Sequence, residues 1–401
     1  MTLIKLANYK NSTEILPGVT MENLVDACLR ARLNLFVIGE TGEGKTQLEN
    51  DILGLFGNKG FFEQGRNDLT IKEMFTRLNL DKLRTGKTSE EVKELTEHIR
   101  HLCYIVDELT RCIPAVQNQF FNLFDGFITV DGTKHRLGSS GYSIGIASGN
   151  VGNGRYVGTS ETDRALLDRM HLILDVDAFP KTPMDTLDVL VSKKDPRVSE
   201  VNADDQTDTI LQLHEAFKQS KPTLMQYIAA LYLVHGLDVY TDEKGAVQSK
   251  RKNKNTWPGC VEGHDKGSDA ALIFPFSTRS AISTLTLAQA LQTIRNEKED
   301  TSYSGRSFEA VLDAAYLIGA QSGVLHPSAI DAQYGSKPYD AMKAVVDGIR
   351  AEFDKKNDAL KHAISAASKG EIKHADEFTG RWKYVQDILE QTSRQTKEKT
   401  R

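Results

Sequence analysis

The sequence has no long apolar run and no strong excess of charge of either sign. Every apolar stretch falls short of the ~20 residues that a membrane-spanning helix needs. Residues 1–6 lack the charged-then-apolar plan of a signal peptide. A net charge of −5 argues against broad affinity for nucleic acid, although it leaves room for a local basic patch. We therefore expect a cytoplasmic protein that has no contact with a membrane.

Cysteine is also scarce. The four cysteines stand far apart, and one lies in an apolar run that predicts a buried strand: Cys28, Cys103, Cys112 and Cys260. Scattered thiols of this kind exclude a disulfide framework and indicate a reducing compartment. Cys260 and His264 have a spacing that a metal could use, but two ligands without a second pair do not make a zinc site.

The composition is otherwise that of a globular protein with more than one domain. Of the 401 residues, 39% are hydrophobic and 26% are charged, and the chain is too long for one ordinary core. Short apolar runs alternate with helical segments up to about residue 176, which predicts a largely parallel sheet covered by helices. Beyond residue 180 the pattern is mostly helical. The runs that predict strands are 35–38, 102–106, 142–148 and 171–176.

The first functional motif is a glycine-rich loop that follows the first of these runs. It fits G-x-x-x-x-G-K-[ST], and a segment with helical spacing comes directly after it. Strand, glycine loop and helix form a phosphate-binding loop, in which backbone N–H groups and a helix N-terminus surround phosphate oxygens. Lys45 can reach the β- and γ-phosphates, and the Thr46 hydroxyl can ligate Mg²⁺. The predicted ATP-binding residues are Gly39, Glu40, Thr41, Gly42, Glu43, Gly44, Lys45, Thr46 and Gln47.

An acidic pair ends the second run, some sixty residues later. In a sheet of this type the chemistry gathers at the carboxyl ends of the strands. Asp107 is therefore predicted to hold Mg²⁺ and its hydration shell, and Glu108 to orient or deprotonate the attacking water.

Two further segments can be interpreted locally. Residues 127–137 predict a hairpin, because Asp131-Gly132 is a favoured two-residue turn between alternating strands. Ser89 is a plausible cap for a helix that restarts there.

In this order, the motifs resemble the AAA+ superfamily and, within it, the MoxR-type ATPases. The likeness is closest in three motifs, D-E-x-x-R-x-x-x-x-V-Q-N from Asp107, V-D-G at 130–132 and L-D-R at 167–169, and it covers roughly residues 20–325. The fold class expected is α/β, a P-loop AAA+ core with a parallel sheet flanked by helices, followed by a helical lid domain and a C-terminal helical extension. The expected domains are 1–180, then 181–330 with an inserted loop near 241–266, and 331–401.

The resemblance also implies roles for several side chains. Asn150 matches the sensor 1 residue, which positions water against the γ-phosphate. Arg169 matches the arginine finger, which would reach the nucleotide of a neighbouring subunit, and Arg164 is its rival. Arg279, at the start of a helix in the lid, matches sensor 2. A finger of this kind implies a ring, most often a hexamer.

The resemblance implies an ATPase that activates or remodels a protein client, possibly one with a von Willebrand A domain. In such proteins a hairpin like 127–137 lines the ring pore, so Phe127, Lys134 and His135 are candidate client contacts. A nucleic-acid translocase is the alternative, for which the basic cluster 250–254 with Trp257 nearby would supply contacts. That cluster is interpreted as a solvated loop. A nucleotide-switched scaffold without turnover is disfavoured by Glu108 and Arg169.

Overall fold

A computed structural model describes residues 4–78, 84, 93–150, 169–192, 204–241, 246–252, 272–298 and 306–400. The chain divides into two compact units, Met1–Gln219 and Ser220–Arg401. Among the described residues, none of the helices combines the length and the apolar character needed to cross a membrane. Cys28, Cys103 and Cys112 are buried free thiols, and the burial of Cys103 agrees with its predicted strand. Cys260 lies outside the described residues.

The first unit is built from short strands and helices in alternation. Its strands are β1 (Glu14–Leu16), β2 (Val19–Thr20), β3 (Leu35–Ile38), β4 (Gly60–Gln64), β5 (Thr76–Leu78), β6 (Lys93–Leu95), β7 (Cys103–Asp107), β8 (Phe127–Val130), β9 (Thr133–Arg136), β10 (Ile144–Gly149) and β11 (Leu172–Asp175). Its helices are α1 (Met21–Ala31), α2 (Lys45–Leu55), α3 (Ile71–Phe75), α4 (Pro114–Phe124), α5 (Pro183–Ser192) and α6 (Thr207–Lys218).

Five of these strands form the central sheet, in the order β11-β3-β10-β7-β4. Each neighbouring pair is parallel. All residues of β3 and β7 are buried, as both faces of a covered parallel sheet require. The predicted α/β fold with a parallel sheet flanked by helices is confirmed, and each of the four apolar runs forms one of its strands.

Helix α1 begins at Met21. Thr20 is its N-cap, and the Thr20 N–H donates to Asn23 Oδ1 at 3.2 Å. The ring of His214 in α6 bonds through Nδ1 to the carbonyl oxygen of Arg30 in α1, at 2.7 Å. This contact belongs to the packing of α6 on α1, so the first unit reaches residue 219. The finer division at residues 180 and 330 stays a prediction.

The hairpin predicted at 127–137 is present as β8 and β9, which pair in antiparallel register. Asp131 and Gly132 have φ angles of +47° and +78°, so both turn residues are left-handed, as this tight turn demands. The prediction of a helix that restarts at Ser89 is wrong over Lys93–Leu95. Those residues form β6, which pairs with β5, and residues 85–92 lie outside the described residues.

The second unit is mostly helical, as expected. Its elements are α7 (Leu224–Leu231), a π-helical turn (Tyr232–Gly236), β12 (Val239–Thr241), β13 (Val247–Ser249), α8 (Thr278–Glu297), α9 (Phe308–Gln321), α10 (Pro327–Tyr334), α11 (Pro338–Ala367) and α12 (Tyr384–Thr400). Part of the predicted insertion is not a loop, because β13 pairs with β12, whereas residues 253–266 lie outside the described residues.

Candidate nucleotide-binding site

The phosphate loop joins the end of β3 to the start of α2, at the carboxyl edge of the sheet. Gly42 and Gly44 have φ angles of +94° and +86°, a region that residues with a Cβ rarely adopt. These two glycines turn the chain so that α2 begins at Lys45. The N-terminal end of an eleven-residue helix therefore points at the loop, where it can stabilise a bound anion.

Lys45 supplies the positive charge of the loop. Its Nζ donates to the carbonyl oxygens of Gly39 at 2.8 Å and Glu40 at 2.7 Å. Burial lowers the pKa of the Lys45 ammonium, whereas the nearby carboxylates, that of Asp177 first, act to raise it. Carbonyl groups on the loop itself thus hold the ammonium beside the place where phosphate oxygens would lie, and the site fits a nucleotide.

The phosphate loop is also held by two contacts that the sequence does not indicate. Both carboxylate oxygens of Asp177 accept the Glu40 N–H, at 2.8 and 3.0 Å. Lys181 Nζ donates to the Glu43 carbonyl oxygen and lies 3.2 Å from the Glu43 carboxylate. Both partners come from the segment that follows β11, so the loop is fixed at two of its four variable positions before any ligand binds.

The acidic pair lies beside the loop, because β10 alone separates β3 from β7 in the sheet. Asp107 is the last residue of β7, and its Oδ2 lies 3.4 Å from Thr46 Oγ1. A hydroxyl and a carboxylate are the oxygen ligands that Mg²⁺ takes together with water and substrate phosphates. No cluster of three or more His, Cys, Asp or Glu that could hold a metal occurs within the described residues. The donor set at Thr46 and Asp107 fits Mg²⁺ of the phosphate-bound kind.

Glu108 follows in an unusual conformation, with φ of +54°. Its side chain is 21% exposed, and two neighbouring side chains donate to its carboxylate. Arg111 donates to Oε1 at 2.7 Å, and Gln64 Nε2 donates to Oε2 at 3.3 Å. A Cβ on Gly65 would lie 2.6 Å from the Glu108 carbonyl oxygen, so only glycine allows this approach of the chain. Arg111 and Gln64 therefore fix the position of the carboxylate that would orient water.

A buried polar group lies behind the acidic pair. Ser148 in β10 donates its hydroxyl to Asp107 Oδ1 at 2.6 Å and accepts the Glu108 N–H at 3.0 Å. Glu49, on the second turn of α2, is fully buried. Burial first, and then the charge of Asp107, raise the pKa of the Glu49 carboxyl well above its usual value. The sequence does not indicate a role for either residue. Ser148 resembles part of an apolar run, and Glu49 resembles a solvated helix position.

Asn150 lies at the same edge, one residue past the end of β10. Its N–H donates to Thr110 Oγ1 at 3.2 Å. Its side-chain Oδ1 is buried, and no donor among the described residues reaches it. A polar atom in that position suits a group that orients water or phosphate, as predicted for sensor 1.

The predicted arginines stand in different places. Arg169 is 22% exposed, its Nε bonds to Asp125 Oδ2 at 3.0 Å, and its guanidinium lies 4.8 Å from the centre of the Phe121 ring. Arg164 lies outside the described residues. Arg279 is exposed at the second position of α8, in the second unit. The functional roles of all three remain predictions.

The two candidate partner-binding surfaces are the β8–β9 hairpin and the basic cluster at 250–254. On the hairpin, Lys134 Nζ lies 3.5 Å from the centre of the Phe127 ring, and His135 is partly exposed. The prediction that the basic cluster at 250–254 is a solvated loop is wrong for Lys250, whereas Arg251 and Lys252 are exposed as such a loop requires. Lys250 is fully buried with its Nζ donating to the Ile273 carbonyl oxygen at 2.8 Å, and Arg251 donates to the Phe276 carbonyl oxygen at 2.9 Å. Residues 253–257 lie outside the described residues.

Comparison with known proteins agrees with this geometry. Residues 34–170 match the AAA domain family, dynein-related subfamily. The structure is similar to the crystal structure of a candidate ATPase from Cytophaga hutchinsonii, with a TM-score of 0.57 and 15% sequence identity, over 82% of this chain and 88% of that one. A search of curated proteins gave no match. The fold is therefore that of an AAA+ core with helices beyond it, and the residues matched by the AAA domain model include the phosphate loop, the acidic pair and Asn150.

Proposed function

We propose that this chain, whose residues 34–170 match the AAA domain family, binds ATP with Mg²⁺ and hydrolyses it to drive the remodelling of a partner protein. One observation carries the proposal. The phosphate loop, the Thr46–Asp107 pair and Glu108 meet at the carboxyl edge of one parallel sheet, with Thr46 Oγ1 and Asp107 Oδ2 only 3.4 Å apart. A phosphate cradle, a metal-ligand pair and a water-orienting carboxylate are the parts that phosphoryl transfer to water needs.

Each residue has a separate task in that reaction. The N–H groups of the loop and Lys45 bind the phosphates and neutralise the charge that develops in the transition state. Thr46 and Asp107 would hold Mg²⁺, which supplies further positive charge when it is bound. Glu108 accepts a hydrogen bond from the attacking water and takes up its proton. Asn150 orients that water from the adjacent strand.

Arg169 would complete the site of a neighbouring subunit. The ion pair with Asp125 and the ring of Phe121 hold its guanidinium in one place, which reduces the entropy lost when it meets a γ-phosphate. An arginine supplied in trans stabilises the transition state by a factor on the order of 10³ or more. The proposed working form is consequently a ring, with six subunits as the first expectation.

The client is proposed to be a protein. The chain resembles MoxR-type ATPases in the motifs around Asp107, Val130 and Arg169, and proteins of that type act on partners that often carry a von Willebrand A domain. The hairpin β8–β9 offers exposed Lys134 and partly exposed His135 as contacts for such a client. A nucleic-acid translocase is less well supported. The charged groups of Lys250 and Arg251 donate hydrogen bonds to backbone carbonyl oxygens of their own unit.

Removal of the loop cation tests the proposal. Lys45→Ala should abolish ATP binding and hydrolysis, because the side chain supplies the positive charge of the loop, while leaving the melting temperature close to that of the wild type. Lys218→Ala is the matched control, since Lys218 is an exposed lysine of the same unit that pairs with Glu215 in α6. Calorimetry with ATP and a phosphate-release assay provide the measurements. Normal ATP affinity in Lys45→Ala would contradict the assignment of the loop.

A further inference from the structure

We propose that Ser148 is a positioning residue for hydrolysis, because its one hydroxyl fixes both the carboxylate of Asp107 and the backbone of Glu108. The inference rests on the proposed function, since it concerns how the two acidic residues are held for their roles. Neither the motifs of the sequence nor the match to the AAA domain assigns a role to this side chain. The argument depends on strand register, on burial and on two hydrogen bonds.

Strand register brings Ser148 to the acidic pair. β10 pairs in parallel with β7, with Ala147 opposite Val106, so the next residues along the two strands, Ser148 and Asp107, are neighbours across them. Ser148 is fully buried. A hydroxyl has one proton to donate and lone pairs to accept. Here it donates to Asp107 Oδ1 at 2.6 Å and accepts the Glu108 N–H at 3.0 Å, so its proton and one lone pair are used on the acidic pair.

The bond to Asp107 sets the direction of the metal-binding oxygen. With Oδ1 held by Ser148, the other oxygen, Oδ2, faces Thr46 Oγ1 at 3.4 Å. Without the hydroxyl, Oδ1 would lie in a buried site beside the side chain of Glu49 with one hydrogen bond fewer. The Asp107 carboxylate would then be stabilised by turning toward another hydrogen-bond donor. Such a turn would move Oδ2 away from its position beside Thr46 Oγ1.

The bond to Glu108 acts on the backbone. A φ of +54° is uncommon for a residue with a side chain and persists where surrounding contacts hold it. The Glu108 N–H is the donor at the start of that turn, and Ser148 is its acceptor. Loss of this acceptor would allow the turn to relax, and the carboxylate that orients water would shift with it. One substitution at Ser148 should therefore weaken the metal site and slow the chemical step together.

The test compares three variants. Ser148→Ala removes the hydroxyl, and Ser148→Thr keeps it. Ser148→Cys has a side chain of similar size in which a thiol, a weak donor and acceptor, replaces the hydroxyl. Ser143→Ala is the matched control. Ser143 precedes the first residue of β10, roughly 16 Å from Ser148 at ~3.3 Å per residue. For each protein we would measure the melting temperature, ATP affinity in EDTA, the Mg²⁺ concentration for half-maximal activity, and kcat and KM.

Ser148→Ala should raise the Mg²⁺ requirement and lower kcat, each by about 10- to 100-fold, as loss of an outer-shell partner of a metal ligand typically does. ATP affinity in EDTA should not change, because the phosphate loop is intact. Ser148→Thr should recover most of the activity, and Ser148→Cys should fall between. If Ser148→Ala does not fold, the ordering of the threonine and cysteine variants still decides the matter.

Wild-type kcat and Mg²⁺ dependence in Ser148→Ala would overturn the inference, as would an equal loss in Ser143→Ala. A loss confined to the melting temperature would show that the hydroxyl has only a structural role. If the wild-type chain hydrolyses no ATP, the proposed function fails, and calorimetry with a non-hydrolysable ATP analogue then tests the Asp107 contact by itself. The Mg²⁺ dependence of that affinity should weaken in Ser148→Ala, and an unchanged dependence would overturn the inference.

Discussion

Replacement of Glu108 by glutamine separates binding from chemistry at this site. The amide keeps the shape of the side chain but cannot take a proton from water, so turnover should fall by about 10²- to 10⁴-fold, the usual contribution of a general base. At about 1.4 kcal/mol for each factor of ten, this is a loss of about 3–5 kcal/mol in transition-state stabilisation. ATP affinity should stay the same or improve, because one negative charge near the phosphates is removed.

The cost to stability should be far smaller. The Glu108–Arg111 pair is a contact of 2.7 Å in which Arg111 is 56% exposed, and exposed pairs contribute about 0–1 kcal/mol. Glu97→Gln is the matched control, because Glu97 forms the same kind of pair with Arg100, at 3.4 Å and the same spacing in sequence. Single-turnover phosphate release, calorimetry and thermal melting measure the three effects. Wild-type turnover in Glu108→Gln, or an equal loss in Glu97→Gln, would refute the reasoning.

Two further predictions concern the buried acid and the choice of partner. Because the pKa of Glu49 is raised above its usual 4.5 in the folded state, wild type should lose stability relative to Glu49→Gln as the pH rises above 4.5, by up to about 1.4 kcal/mol per unit until the folded pKa is passed. Urea unfolding in EDTA between pH 4.5 and 8 measures this, and equal pH slopes in the two proteins would contradict it. DNA or RNA should leave the ATPase rate unchanged at moderate salt. A several-fold stimulation that weakens steeply with salt and is lost when exposed Lys252 is neutralised would favour the translocase instead.

The phosphate loop and the acidic pair could be predicted from the sequence because their chemistry is local. Gly42 and Gly44 are required by backbone angles within the loop, and Asp107 follows its strand directly. The β8–β9 turn is equally local, since Asp131 and Gly132 alone determine its type. Signals of this kind need no knowledge of which strands are neighbours.

The remaining parts of the site depend on contacts between distant segments. Asp177 bonds the Glu40 N–H across 137 positions of the chain, and Ser148 reaches Asp107 across 41. Tertiary contacts also reverse local expectations. Lys250 lies in a polar, basic stretch, yet it is buried, because the Ile273 carbonyl oxygen accepts a hydrogen bond from its Nζ. Lys93–Leu95, expected in a helix, instead pairs with β5 as a strand.

The central claim is that ATP is hydrolysed at a site which two subunits complete together. Mixing two inactive proteins tests it most directly. Lys45→Ala lacks the phosphate-binding cation but retains Arg169, whereas Arg169→Ala retains the phosphate loop and lacks the finger. Mixtures should regain ATPase activity, with a maximum at intermediate ratios, because each subunit supplies what the other has lost. Activity that stays flat at every ratio while mixed assemblies demonstrably form would contradict the claim for Arg169 and transfer it to Arg164.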